Sequence, residues 1–313
     1  MNSISVTFLF LSLNNLLRGN GFPKKSLEST LLTVGLNLIL TPIFIFALNL
    51  GIKGASIATV LSQIAGLVWV VRLFCLKSNK VHFQRKYLRF NWGLSVEIMK
   101  LGTPPFILNL CTASITIALI NRIGFYGGDF AVGAYGIVSR IYMLFSMVII
   151  GLSIGMQPII GFNFGAGLTD RVHKTLNMGL TIALIFMTSV FLISEIAATP
   201  IIRLFSDETS LNDMAIVGLR ICAWTFPVMA IQTILTNFFQ SIGKPNTSIV
   251  LSLIRQVGIL IPLIFILPEL FNLGLNGIWI SIPLADSIAC IVTVFIYLRF
   301  RQQTKCNIVT DTV

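Results

Sequence analysis

Apolar residues in this chain come in long runs separated by short polar connectors. Nine such runs follow one another, at about residues 1–17, 26–48, 54–76, 95–120, 130–160, 174–194, 212–240, 248–268 and 276–298. A helix crosses the hydrocarbon core of a bilayer in roughly 20 apolar residues. The pattern therefore predicts an all-α polytopic membrane protein with about nine transmembrane helices. The first run is short, and the fifth is long enough to tilt or to project from the bilayer. Within the second run, NLILTPIFIF (37–46) places Asn37 and Thr41 four residues apart, on one helix face, with Pro42 directly after them. That stretch predicts a polar face and a kink in the middle of an apolar rod.

Composition supports the same class. Of 313 residues, 55% are hydrophobic and 11% charged, with a mean hydropathy of +0.90, whereas soluble domains carry about 25% charged residues. Such a chain cannot cover its surface with polar groups in water. No short basic leader precedes the first run, so a removed signal peptide is not expected. The net charge of +11 does not point to nucleic acid, because the basic residues fall mainly in the connectors. Cys75, Cys111, Cys222, Cys290 and Cys306 show no metal or disulfide spacing and read as small apolar residues.

Connector charge sets an expected orientation. One set holds Arg18, Lys24, Lys25, Lys77, Lys80, Arg85, Lys86, Arg89, Arg171, Lys174, Lys244, Arg299, Arg301 and Lys305. The alternate set holds Lys53, Arg122 and Arg203, together with Asp129, Glu195, Asp207, Glu208 and Glu269. The first set is expected to be cytoplasmic. The C-terminus then lies inside and Met1 outside.

The chain repeats itself. RGNGFPKKS (18–26) matches QSIGKPNTS (240–248) at Gly21/Gly243, Pro23/Pro245 and Ser26/Ser248, with Asn15 matching Asn237. NLGIKGASIA (49–58) matches NLGLNGIWIS (272–281) at Asn49/Asn272, Gly51/Gly274 and Gly54/Gly277. Two homologous lobes are expected, as in many secondary transporters. The expected organisation is a partial N-terminal lobe of three helices (1–76), a cytoplasmic linker (77–94), a complete six-helix C-terminal lobe (95–300) and a cytoplasmic tail (301–313). By this symmetry, three N-terminal helices are expected to be missing.

The stretch YGGDFAVGAYGIVSRIYMLFSMVIIGLSIGMQPIIGFNFGAG (126–167) resembles the eighth helix of multidrug and toxic compound extrusion (MATE) transporters, most of all their prokaryotic DinF-like branch. LRGNGFPKKS (17–26) resembles that family's turn after helix four, and NLILTPIFIF with GIKGASIAT (51–59) its helices five and six. The resemblance implies a fold of twelve spans in two lobes, in the plasma membrane of a bacterium. It also implies export of drugs or organic cations by antiport, with Na⁺ or H⁺ as the coupling ion and no cofactor. In that branch a first-lobe cation site uses an Asn and an Asp four apart on helix five, a Thr on helix six and an Asp on helix one. Asn37 and Thr59 match the Asn and the Thr; Thr41 stands where the Asp is expected, and helix one is absent. The resemblance thus implies a cation-site remnant and impaired coupling. The plainer reading is that these residues hydrogen-bond neighbouring helices.

Other intramembrane polar residues carry paired readings. Arg140 lies some ten residues into the fifth run and either lines a cavity or pairs with an anionic substrate group, or else forms a structural ion pair or snorkels. Arg255 and Asp286 lie at depths that could meet, as a structural pair or a proton carrier, with Gln63 the first-lobe counterpart of Asp286. Gln157, Pro158 and Asn163 close the family-like run near the cytoplasmic face. Met143, Met147 and Met156 read as packing or as an adaptable apolar wall. No enzyme signature emerges from His82, His173 or Asp207–Glu208, and no phosphate loop is present. Expected partners are membrane lipid and a small organic cation or amphipathic drug. A lipid-linked saccharide flippase of the same superfamily and an inactive remnant are the alternatives.

Overall fold

A computed structural model describes residues 3–19, 22–75, 91–270 and 272–310. The connector carrying Lys77, Lys80, His82, Arg85, Lys86 and Arg89 lies outside the described residues, as do the side chains of Lys305 and Cys306. Among the described residues every regular element is a helix. These are α1 (Ser3–Gly19), α2 (Pro23–Pro42), α3 (Gly51–Cys75), α4 (Trp92–Gly165), α5 (Thr169–Ile196), α6 (Ala198–Arg203), α7 (Thr209–Ala223), α8 (Thr225–Ser241), α9 (Pro245–Leu253), α10 (Ile261–Leu270) and α11 (Leu275–Thr310). Wide π-helical turns continue α2 through Ile43–Ala47 and join α9 to α10 through Ile254–Leu260.

Each of the nine apolar runs falls on these helices. Six stretches are long and apolar enough to cross a membrane, and α7 with α8 passes the same test as a pair bent by 46°. The longest, Phe106–Gly165, has 60 residues. At 1.5 Å per residue that is about 90 Å, far beyond a bilayer core of about 30 Å. It divides at Gly128, whose φ of 65° and ψ of −164° are open to glycine and to almost nothing else. The run expected as one span over 212–240 is the bent pair. Pro227, just inside α8, cannot donate to the preceding turn, and the rod breaks at Trp224. The kink expected at Pro42 is the π turn that follows it, closed by Leu48 N–H donating to the Ile43 carbonyl at 3.0 Å.

The chain forms two compact units, Met1–Ser95 and Val96–Val313. In the first, α1 and α2 both pack on α3. The buried edge of α3 is Gly54, Ala58, Ser62, Gly66, Val70 and Phe74, one residue per turn. Small residues there let backbones approach where no hydrophobic drive separates helix from lipid. A Cβ on Gly66 would lie 2.1 Å from Thr33 Oγ1 and 2.9 Å from the Phe10 ring. Buried Asn14 is satisfied by α2, accepting from Ser29 Oγ at 2.8 Å and donating to Thr30 Oγ1 at 3.0 Å.

The second unit packs α5 against α8, and α8 against α11. Its core runs from Ile149 and Met156 on α4 through Leu176 and Met187 on α5 to Phe226, Phe238 and Phe239 on α8. Aromatic edges interlock there, with Phe145 against Phe226 and Phe238 against Tyr297. Gly218 admits the Trp279 ring, which would lie 2.8 Å from an added Cβ.

The internal repeat recurs in the backbone. Phe22 (φ −111°, ψ 54°) and Lys244 (φ −111°, ψ 58°) precede the prolines that open α2 and α9. Their amides donate to Leu17 and Phe239 at 3.0 and 2.9 Å. Asn49 and Asn272 both take left-handed φ, at 50° and 49°, followed by Gly51 and Gly274 at 54° and 53°. Gly54 and Gly277 each sit against backbone, where a Cβ would come within 2.6 Å of the Phe44 carbonyl oxygen or 2.8 Å of Pro268 Cα.

Candidate functional site

In the first unit, α2 and α3 bring Asn37, Thr41 and Thr59 together. Asn37 Nδ2 donates to Thr59 Oγ1 at 3.2 Å, and Thr41 Oγ1 approaches Asn37 Oδ1 at 3.5 Å. Thr59 Oγ1 also donates to the Ala55 carbonyl at 2.9 Å. The four-residue spacing on α2 stacks Asn37 and Thr41, and the close approach allowed by the small edge of α3 presents Thr59 to them. All three donors are neutral. Glu28 is the sole carboxylate in the sequence of this unit, nine residues before Asn37 on the same helix, or about 14 Å along its axis. A cation stripped of water needs several oxygens, and in a low-dielectric setting an anionic one among them. The trio supplies oxygens without charge. Beside it lies a cavity of about 500 Å³ lined by Thr7, Ser56, Thr59 and Gln63, where Thr7 Oγ1 donates to Gln63 Oε1 at 2.5 Å.

The second unit holds a more enclosed cavity of about 380 Å³. Its walls come from both halves of α4 (Thr112, Thr116, Tyr135, Ser139, Tyr142, Ser146), from α7 and α8, from the Ile254–Leu260 turn and from α11. The π turn adds a residue to the helical circuit, a feature common at functional sites. Here Arg255, Gln256 and Leu260 all line the cavity. Arg255 Nε donates to Asp286 Oδ1, and Arg255 Nη2 donates to Tyr142 Oη at 3.3 Å. Asp286 follows Pro283 on α11 by three residues and is buried; its Oδ2 has no hydrogen-bond partner among the described residues. Thr112 Oγ1 reaches Gln256 Oε1 at 3.2 Å.

The remaining candidates stand apart from these groups. Arg140 is exposed on α4, on the stripe that also exposes Met143 and Met147, and makes no ion pair among the described residues. Gln157 is half-buried. Asn163 Nδ2 donates to the Ile159 carbonyl at 2.8 Å, and the Asn163 carbonyl accepts from Leu168 N–H at 2.9 Å, so this residue closes the end of α4. Met156 lies in the core against Gly179, while Met143 and Met147 are exposed.

Sequence reading passed over three features. Tyr142 joins the Arg255–Asp286 pair from a helix more than 110 residues away in sequence, at a separation of 113. Arg122 pairs with Glu269 at 2.8 Å and lies over the rings of Tyr126 and Phe265. Glu195 and Arg220 share an open groove with Trp224, Pro283 and Ser287. Arg220 sits eleven residues into α7, and its position inside the seventh apolar run was the signal that could have drawn attention to it.

A family model described as MatE matches residues 104–266. The multidrug export protein MepA of Staphylococcus haemolyticus is 29% identical over 303 residues, covering 96% of this chain and 66% of the relative. The chain thus spans about two thirds of the length of the curated relatives it matches. A crystal structure of a MATE mutant superposes with a TM-score of 0.85 at 23% identity, covering 96% of this chain and 67% of the other. An outward-facing multidrug resistance MATE transporter of the MOP superfamily gives a TM-score of 0.82 at 24% identity, with coverage of 93% and 65%. These structures share the fold.

Proposed function

The chain belongs to the MatE family, and from that premise we propose that it moves organic cations and amphipathic drugs across a bacterial plasma membrane. In this reading the movement is antiport against inward Na⁺ or H⁺, and it is impaired by the neutral chemistry of the Asn37–Thr41–Thr59 site. The observation that carries it is the meeting of those three residues within a chain of this family. A coupling ion does work only when it binds one conformation better than another. Oxygens without a carboxylate give a bare cation little reason to leave water at all.

The guanidinium of Arg255 in the wall of the second unit's cavity favours a second reading, transfer of a lipid-linked saccharide with its phosphates. One experiment separates them. The purified chain is reconstituted into liposomes with a fluorescent organic cation in one preparation and a labelled lipid-linked oligosaccharide in another. Export predicts saturable cation entry above protein-free vesicles and no transfer of the saccharide lipid. Transfer of the saccharide lipid without cation entry would overturn it.

A further inference from the structure

The geometry points to the second unit's cavity as a site for aromatic acids: its ligand is an amphipathic molecule with a carboxylate on an aromatic body. This goes beyond the proposed movement of organic cations by assigning that cavity an anionic class among the amphipathic ligands. It rests on that reading for its place in transport but not for the binding itself.

Arg255 and Asp286 form an ion pair that is neutral as a unit, yet its two ends are unequally presented. The guanidinium side chain is 27% exposed and lines the cavity; the carboxylate side chain is 2% exposed and does not. The positive end of the pair faces the ligand space. Arg255 spends Nε on Asp286 and one Nη2 hydrogen on Tyr142, and its other N–H groups have no partner among the described residues. Among the described residues no carboxylate lines the cavity.

The remaining polar wall is weaker. Thr112 and Thr116 donate their hydroxyl protons to the carbonyls of Leu108 and Thr112, and Ser139 donates to Gly136. What these hydroxyls turn toward a ligand is acceptor lone pairs. They would suit N–H donors elsewhere on the molecule. Hydrogen bonds to an ionised group are roughly twice as strong as those between neutral groups, so the guanidinium decides which end of a ligand is read. Tyr135 and Tyr142, half-buried in the wall, supply aromatic surface for an aromatic body. The volume of about 380 Å³ falls within the range of roughly 300–1,000 Å³ typical of small-molecule pockets.

The test uses the full chain in lipid nanodiscs and three probes sharing one ring system: 2-naphthoate, the neutral 2-naphthamide and the cationic 2-naphthylmethylammonium. Equilibrium dialysis should show the carboxylate binding at least about tenfold more tightly than the cation, with the amide between them. Thr116→Phe fills the cavity from an exposed wall position and should abolish binding of all three without moving the thermal transition. The double variant Arg255→Met/Asp286→Leu removes the pair together and should bring the carboxylate and amide to equal affinity. Equal or tighter binding of the cation by the unaltered chain would overturn the assignment. Carboxylate preference that survives Thr116→Phe would overturn it too, whether or not the double variant folds. Carboxylate binding without any vesicle transport would leave this site standing and remove the export reading. Cation transport without carboxylate binding would do the reverse.

Discussion

Asp286 accepts from Arg255 through one oxygen while the other has no described partner. A buried pair of this kind contributes little net stability when intact, but removing one partner leaves a lone charge in hydrocarbon. Asp286→Leu is expected to destabilise the second unit by about 3–5 kcal/mol. The double variant with Arg255→Met should recover most of that loss. Fluorescence-detected size-exclusion after graded heating would measure both. If Asp286→Asn instead left folding and abundance intact but abolished transport, the pair would be a proton carrier and not a structural one. The depths of Arg255 and Asp286 were readable from helix counting, since each lies well inside an apolar run. Tyr142 was not, because apolar periodicity says which face of α4 is buried but not which distant hydroxyl it meets.

At the scale of elements, glycine carries two demands that no other residue meets. Gly128 turns α4 through a positive φ with an extended ψ, and Gly128→Ala should cost about 1–3 kcal/mol from backbone sterics alone. Gly66 lies under Thr33 and Phe10. Gly66→Leu should therefore push α2 from α3, costing about 1–3 kcal/mol of overpacking. The Asn37–Thr59 contact would loosen with it. Thermal transitions of the two variants, with Gly19→Ala as a control where an added Cβ meets nothing within 4 Å, would check both. The existence of the helices was legible because each needs a long apolar run. Their breaks were harder to see. Residues 212–240 read as one apolar length, and the bend at Trp224 arises from the carbonyls that Pro227 leaves unpaired. The long α4 read as two spans because the apolar pattern was interrupted near Gly128, although the helical backbone continues on both sides. The site trio was legible through its four-residue spacing and the family-like motif. The enclosed cavity was not, since it is assembled from five elements spread between Thr112 and Ile282.

At the scale of the whole molecule, the basic connectors predict one orientation. In a cysteine-free background, Ser206→Cys should react with an impermeant maleimide added outside intact cells. Lys244→Cys should react only after permeabilisation, and the opposite pattern would reverse the topology. The repeated Phe22/Lys244 and Asn49/Asn272 turns show that two units were built on one plan, so a difference between them carries meaning. The second unit has a buried carboxylate at Asp286, where the first has Gln63. At the proposed cation-site position the first has Thr41. The most direct test of the account is gradient dependence. The chain and its Thr41→Asp variant are reconstituted side by side, and entry of a fluorescent organic cation is followed with and without imposed Na⁺ and H⁺ gradients. The account predicts that entry through the unaltered chain is nearly indifferent to either gradient, and that Thr41→Asp confers dependence on one of them. Strong gradient-driven entry through the unaltered chain, unchanged by Thr41→Asp, would contradict it.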